Sequence, residues 1–371
     1  MLFEFASGQT QGKRAAQEDT VDVLLPSESA DKPGELARSG SAGALVVVVA
    51  DGMGGHVGGR IASNLSSKYF LDAVNKGTGS WADRMDQALV QANETLRTAT
   101  EKRPELDGMG STLVGAILNE FGLGWVSIGD SGLYLARGGE LTRLNEDHSF
   151  GAYLDEQVKQ GLLTPEQAAQ DRRRNQLFHA LLGDPIDHYE RFAGFRELAP
   201  GDCVLLASDG LKTLTDEQVG QLIADHRNES AETLVTRLLD AVDRENKERQ
   251  DNTSVILVRV QEGDAPTRTD RPEGRTTTVP LSAVPVDADE PVSTEVDKGE
   301  GVSSKVDAAA RAPVAAPAGT FAPVTPAAPA ASADTKPERA GTVVSLLLGL
   351  IVGLVLTFWF LKPDMLRMFM P

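Results

Sequence analysis

The run DGMGG, Asp51 to Gly55, sets a carboxylate at the end of ALVVVVA, a β-branched apolar run that suits a strand covered on both faces. Its glycines let the chain turn where side chains would clash. They also let a backbone carbonyl, such as that of Gly52, approach an ion that Asp51 holds. Other acidic positions repeat the theme. Asp130 in SIGDSG follows the strand-like GWVSI, Asp209 follows CVLLAS, and Asp251 with Asn252 precedes SVILVRV. Upstream, RAAQED sets Arg14 ahead of Glu18 and Asp19. Taken singly, an acidic residue at a strand end is an ordinary solvated turn. Six carboxylates drawn together by one sheet core are different, because like charges at close range repel unless cations neutralise them. Oxygen-only donors favour magnesium, manganese or calcium over zinc or copper.

Other chemistries find little support. Cys203 is the only cysteine, so no intrachain disulfide forms, and it lies inside the apolar run CVLLA with no phosphate loop after it. Ser111 and Ser131 lack a placed His and Asp partner, and no GxxxxGK nucleotide loop occurs. A net charge of −18 argues against nucleic acid as a partner. Against that background the cluster Arg172 to Arg174 is either a solvated helix end or a greeting for an acidic substrate flank.

In order along the chain, RAAQED, DGMGGHVGG, GMGSTLVGAIL, SIGDSGLYLARGGELTRLNEDHS, LLASDGL and DNTSVILV resemble the successive signatures of the metal-dependent serine/threonine protein phosphatases of type 2C, in their bacterial form. The resemblance runs from about Gly8 to Val260 and implies an α+β fold. That fold is a four-layer α-β-β-α sandwich of two antiparallel sheets flanked by helices. It also implies two divalent cations, Mn2+ or Mg2+, that neutralise a phosphomonoester and activate the attacking water. Carried over residue by residue, Asp51 bridges the two ions, and Asp209 and Asp251 complete one. The Gly52 carbonyl, with Glu18 or Asp19, serves the other directly or through water. Asp130 matches a position that, with Asp209, holds a third ion in bacterial members, and Arg14 grips the phosphate through its planar fork. Asn252 is a supporting residue.

Two departures stand out. Met53 follows the DG where eukaryotic members have a histidine proposed as the acid for the leaving group, and a thioether donates no proton. His56 is the nearest alternative, although a water on the ions is the preferred acid here. Gly132 stands where the family commonly has an arginine after GDS. His148 and Ser149 read as supports of a sheet edge. Two other functions remain open on the sequence: a silent receptor that keeps the fold for binding, and a two-metal hydrolase of nucleotides or small phosphates.

The elements that must hold this constellation follow from periodicity. Residues 60–75 and 81–101 read as helices, the second with Met85, Leu89 and Leu96 on one face. Residues 112–118, 123–128 and 133–137 read as consecutive strands, 216–224 and 231–245 as helices, and 149–174 as a mostly helical insertion. The catalytic domain is expected over 1–262. Residues 263–340 are rich in Ala, Pro and Thr and read as a disordered linker, with a span of roughly 50 Å if coil-like. Residues 341–361 then form one transmembrane helix, its core 342–361 free of charge, and 362–371 a short tail. MLFEFASGQTQGKR has no sustained apolar core, so the expected arrangement is a single-pass protein of the cell (inner) membrane with a cytoplasmic catalytic domain. Gly341, Ser345, Gly349 and Gly353 recur every four residues, a face through which two copies could pair. Phosphoserine and phosphothreonine proteins, including a Ser/Thr kinase and its substrates, are the implied partners.

Overall fold

Val46 and Val48 belong to one buried cluster and Leu45, Val47 and Val49 to another, yet all five side chains are fully buried. A strand hides both faces only in the middle of a layered stack. The computed structural model describes residues 1–26, 35–263 and 276–279, all within one compact unit, Met1–Val292.

The chain begins with β1 (Leu2–Thr10), β2 (Thr20–Leu25), β3 (Glu35–Ala37), β4 (Ser39–Ala42), β5 (Leu45–Ala50) and the two-residue β6 (Gly52–Met53). Two long helices follow, α1 (His56–Lys76) and α2 (Trp81–Lys102). The next strands are β7 (Gly110–Ser111), β8 (Leu113–Asn119), β9 (Gly122–Ile128), β10 (Gly132–Arg137) and β11 (Glu140–Arg143). The insertion carries α3 (Phe150–Lys159) and α4 (Pro165–Gln170) before β12 (Tyr189–Phe192) and β13 (Cys203–Ala207). A 3-10 turn, Asp209–Thr213, leads into α5 (Asp216–Asp225), α6 (Ala231–Glu245), β14 (Thr253–Gln261) and β15 (Thr276–Val279).

One sheet runs β11-β10-β13-β14-β1-β4 and the other β15-β12-β9-β8-β5-β2-β3, every pairing antiparallel. Three clusters fill the stack. Phe3, Phe5, Val47, Trp125, Leu206 and Val258 pack between the sheets. Phe70, Leu89 and Leu96 of α1 and α2 cover Val46, Ile117 and Val126, and Ile223, Leu234 and Leu238 of α5 and α6 cover Leu205 and Leu257. The result is the α-β-β-α order. Thr215 starts α5 with a capping box to Gln218, and Ser230 caps α6 by accepting the Thr233 N–H.

Most expected elements appear within a few residues. The first helix starts four residues earlier than its periodicity suggests, because Gly54 and Gly55, at φ 108° and 81°, make the turn and leave Gly58 and Gly59 inside the helix. Thr276–Val279 departs from the expectation of a structureless segment after 262: its backbone pairs with β12, Tyr189 opposite Val279. A β-branched run beside an open sheet edge has a ready set of backbone partners. The expected membrane helix, its dimer face and the short tail lie outside the described residues. Among the described residues, no helix is long and apolar enough to cross a membrane.

Candidate metal centre

Antiparallel stacking delivers the acidic residues to one rim. Asp51 follows β5, Asp130 follows β9, Asp209 follows β13 and Asp251 precedes β14, so each lies where a central strand stops. The ends open into a cleft of about 600 Å³, lined by Arg14, Glu18, Asp51, Gly52, Asp130, Asp209, Asp251 and Asn252. Its other wall, Asn175 to Phe178 with Ala180 and Leu182, comes from the segment after α4.

The backbone around Asp51 is pinned. Its N–H donates to Thr112 Oγ1 at 3.0 Å, and its carbonyl accepts from Thr112 N at 2.9 Å and Ser111 Oγ at 3.1 Å. At Gly52 a Cβ would fall 2.0 Å from the Gly59 carbonyl oxygen and 2.7 Å from that of Glu18. Only glycine lets the loop after β5 lie against α1 and the Glu18 backbone. Asn252 is buried and ties the opposite loop: its Oδ1 accepts the Glu18 N–H at 2.9 Å, and its Nδ2 donates to the carbonyls of Gln11 and Ala16 at 2.9 and 3.1 Å. It therefore positions Glu18.

The carboxylates repel one another. Burial, followed by the charges of Asp19, Asp209, Asp130 and Asp251, holds the Asp51 proton well above the usual carboxylate range. Burial and then the charges of Asp130 and Asp251 push Asp209 up to about 7. Burial likewise raises Asp19 to about 6, although its Oδ2 accepts from Ser254 Oγ at 2.7 Å and Ser208 Oγ at 2.8 Å. Asp209 Oδ1 is buried with no hydrogen-bond partner among the described residues. An orphaned buried oxygen within an oxygen-only donor set fits hard divalent cations.

Arg14 reaches this cluster. Its guanidinium pairs with Asp251 Oδ2 while nearly half its side chain stays exposed. Asp130, only 6% exposed, pairs with Lys212, a residue that the sequence reading passed over. The spacing was available, since Lys212 follows Asp209 by three in DGLK. Asp147 and Arg143 were missed too: Arg143 donates to Asp147 at 2.8 Å and to the Asp130 and Ser131 carbonyls at 3.0 and 3.3 Å. At Gly132 the Tyr134 ring fills the space, 2.3 Å from where a Cβ would stand. His56 opens α1, and its side chain is not described. Within the arginine cluster, Arg173 pairs with Asp171 and Arg174 with Asp155, leaving Arg172 with no ion pair among the described residues. Cys203 is buried, its thiol pushed up to about 11 by burial.

A second group deserves separate chemistry. Ligand-type atoms of Glu146, His148 and His188 lie within 4.8 Å of one another, and the His179 ring stacks on His188 at 4.5 Å. However, His148 Nδ1 accepts the Gly129 N–H at 3.1 Å. Burial, with His188 and His179 nearby, holds the ring neutral down to about 4. A neutral ring that accepts at Nδ1 carries its proton on Nε2 and has no lone pair there for a metal. His148 instead ties β9 to the insertion, its carbonyl accepting the Phe178 N–H at 2.8 Å.

Comparison with known proteins agrees with this geometry. The family model described as protein phosphatase 2C matches residues 31–253, a span that includes Asp51, Asp130 and Asp209 with Asp251. The serine/threonine protein phosphatase PstP of Mycobacterium tuberculosis is 38% identical over 181 residues, 48% of this chain and 34% of that protein. The chain thus spans about a third of that relative's length. Protein phosphatase PhpP of Streptococcus pneumoniae is 32% identical over 238 residues, 60% of this chain and 89% of that one. Among solved structures, the catalytic domain of PstP in complex with two manganese ions superposes with a TM-score of 0.55 at 28% identity, covering 71% of this chain and all of that one. Strand-end carboxylates gathered at one rim, a two-sheet sandwich and a match over more than half its length place this chain in the protein phosphatase 2C family.

Proposed function

We propose that the chain hydrolyses phosphoserine and phosphothreonine esters of proteins, using two divalent cations, Mn2+ or Mg2+, at the carboxylate rim. The observation that carries this is the convergence of Asp51, Asp209, Asp251, Glu18 and Arg14 on one open cleft. The chemistry supplied there when ions are bound is neutralisation of the phosphate and activation of water, whose free pKa is ~15.7.

The protein's own residues divide the remaining work. Asp51, whose carboxyl faces the charges of Asp19, Asp209, Asp130 and Asp251, would help to hold both ions. Asp209 and Asp251 would hold one, and Glu18 with the Gly52 carbonyl would hold the other. Asp19 is better suited to bracing, since its Oδ2 already accepts two serine hydroxyls, from Ser208 just after β13 and from Ser254 at the start of β14. Arg14 is exposed enough to pass from Asp251 to a phosphate, which it can hold by two parallel N–H donors. Met53 lines the cleft and has no proton to give, so the leaving alkoxide takes its proton from water in preference to His56.

The sequence extends this reading. An uncharged stretch at 342–361 would anchor the phosphatase to the cell membrane, catalytic domain in the cytoplasm, within reach of phosphoproteins and a Ser/Thr kinase there. Pairing of two copies through Gly349 and Gly353 would follow from that anchor. The deciding assay is phosphate release from a phosphothreonine peptide. Release should require Mn2+ or Mg2+ and vanish in Asp51→Asn. Binding without release would mean a receptor, and faster release from nucleotides would mean a different hydrolase. Membrane fractionation with and without 342–361 checks the anchor.

A further inference from the structure

The 3-10 turn Asp209–Thr213 begins with one proposed ligand and ends beside another. Three residues complete a 3-10 turn, so Asp209 and Lys212 project from the same side of it. Lys212 Nζ lies 3.2 Å from Asp130 Oδ2 and 2.9 Å from Asp147 Oδ2. Its Nζ thus forms an ion-pair bridge between the two carboxylates. Arg143 closes the same side, donating to Asp147 and to the carbonyls of Asp130 and Ser131. Two fixed cations therefore cover the Asp130–Asp147 pair, whereas Asp209 Oδ1 has no partner among the described residues.

We infer that the Lys212 ammonium takes the place a third divalent ion would need beside Asp130, so that this centre holds two ions and not three. The inference rests on the proposed two-ion centre. A cation arriving at Asp130 Oδ2 would have to displace an ammonium from two carboxylates at once. It would then sit beside the displaced charge and Arg143 in a poorly solvated corner, where like charges repel strongly. The resemblance that assigns Asp130 to a third ion is not met by the residues around it. Lys212 instead gives the rim a positive charge that is independent of metal concentration.

The test is the number of Mn2+ ions bound by the full chain, read by titration calorimetry and by elemental analysis after equilibrium dialysis at millimolar Mn2+. The wild type should hold two, and Lys212→Met, similar in length and uncharged, should hold three. In the wild-type background Asp130→Asn should leave the number at two, which keeps the inference testable even if Lys212→Met does not fold. A wild type that binds three, with the third lost in Asp130→Asn, overturns the inference, as does a folded Lys212→Met that still binds two. Fewer than two ions in the wild type would overturn the two-ion centre itself, and this inference with it.

Discussion

Replacing Asp209 by Asn should stabilise the metal-free protein while removing its activity. In the folded, metal-free chain Asp209 keeps its proton to about 7, against an ordinary value of 3.8. Folding therefore takes up a proton between those values. The contribution to stability is fully present below about pH 4 and is lost as pH rises through 7. A shift of about three units corresponds to at most about 4 kcal/mol at 1.36 kcal/mol per unit, and relaxation of the cluster should roughly halve it. Asn keeps the shape and drops the charge. At pH 7.5 with chelator, Asp209→Asn should thus be more stable than wild type by about 2 kcal/mol, or roughly 4–8 °C in Tm for a domain of this size. At pH 4 the two should melt together, apart from the altered hydrogen bonding. Manganese should raise the wild-type Tm and leave the variant much closer to its metal-free value. Scanning calorimetry at the two pH values, with and without metal, reads all four cases. A variant less stable than wild type at pH 7.5 without metal would refute the view that mutual repulsion dominates this rim.

Two other substitutions probe how the rim is held. Gly52→Ala would put a Cβ 2.0 Å from the Gly59 carbonyl, so it should cost about 3 kcal/mol or more and abolish activity. Gly55→Ala meets no atom within 4 Å and should cost only the strain of its backbone, φ 81° and ψ 157°, a region that side chains rarely adopt, about 1–3 kcal/mol. Chemical denaturation of the pair distinguishes close approach from backbone strain. Asn252→Ala leaves the Glu18 N–H and the carbonyls of Gln11 and Ala16 without their partner. It should lower stability by about 1–3 kcal/mol and weaken Mn2+ binding measurably, with a peptide assay titrated by metal as the check.

The sequence alone carried the strands and the acidic rim a long way. ALVVVVA and CVLLA are apolar throughout and GWVSI is broken only by Ser127, a pattern that suits a sheet covered on both faces, and an aspartate follows each within two residues. What hid the helix start at His56 was its glycine content, which lowers helix propensity but is needed where α1 touches Gly52. The strand at Thr276–Val279 was hidden for a related reason: nothing local to TTTV announces the β12 edge that accepts it.

Within the site, residue type and order determined which groups gather, because a carboxylate at the end of a central strand has nowhere else to go once the sheets stack. Only the tertiary structure decided what each then touches. Arg14 meets Asp251 across 237 residues, Asp19 is braced by serines 189 and 235 residues away, and Lys212 settles on Asp130 and Asp147. Such partners are fixed by the meeting of two sheets and a turn, and no local pattern encodes them. His148 shows the same division: its residue type admits a metal, and a single N–H from Gly129 removes the lone pair arrangement that a metal would need.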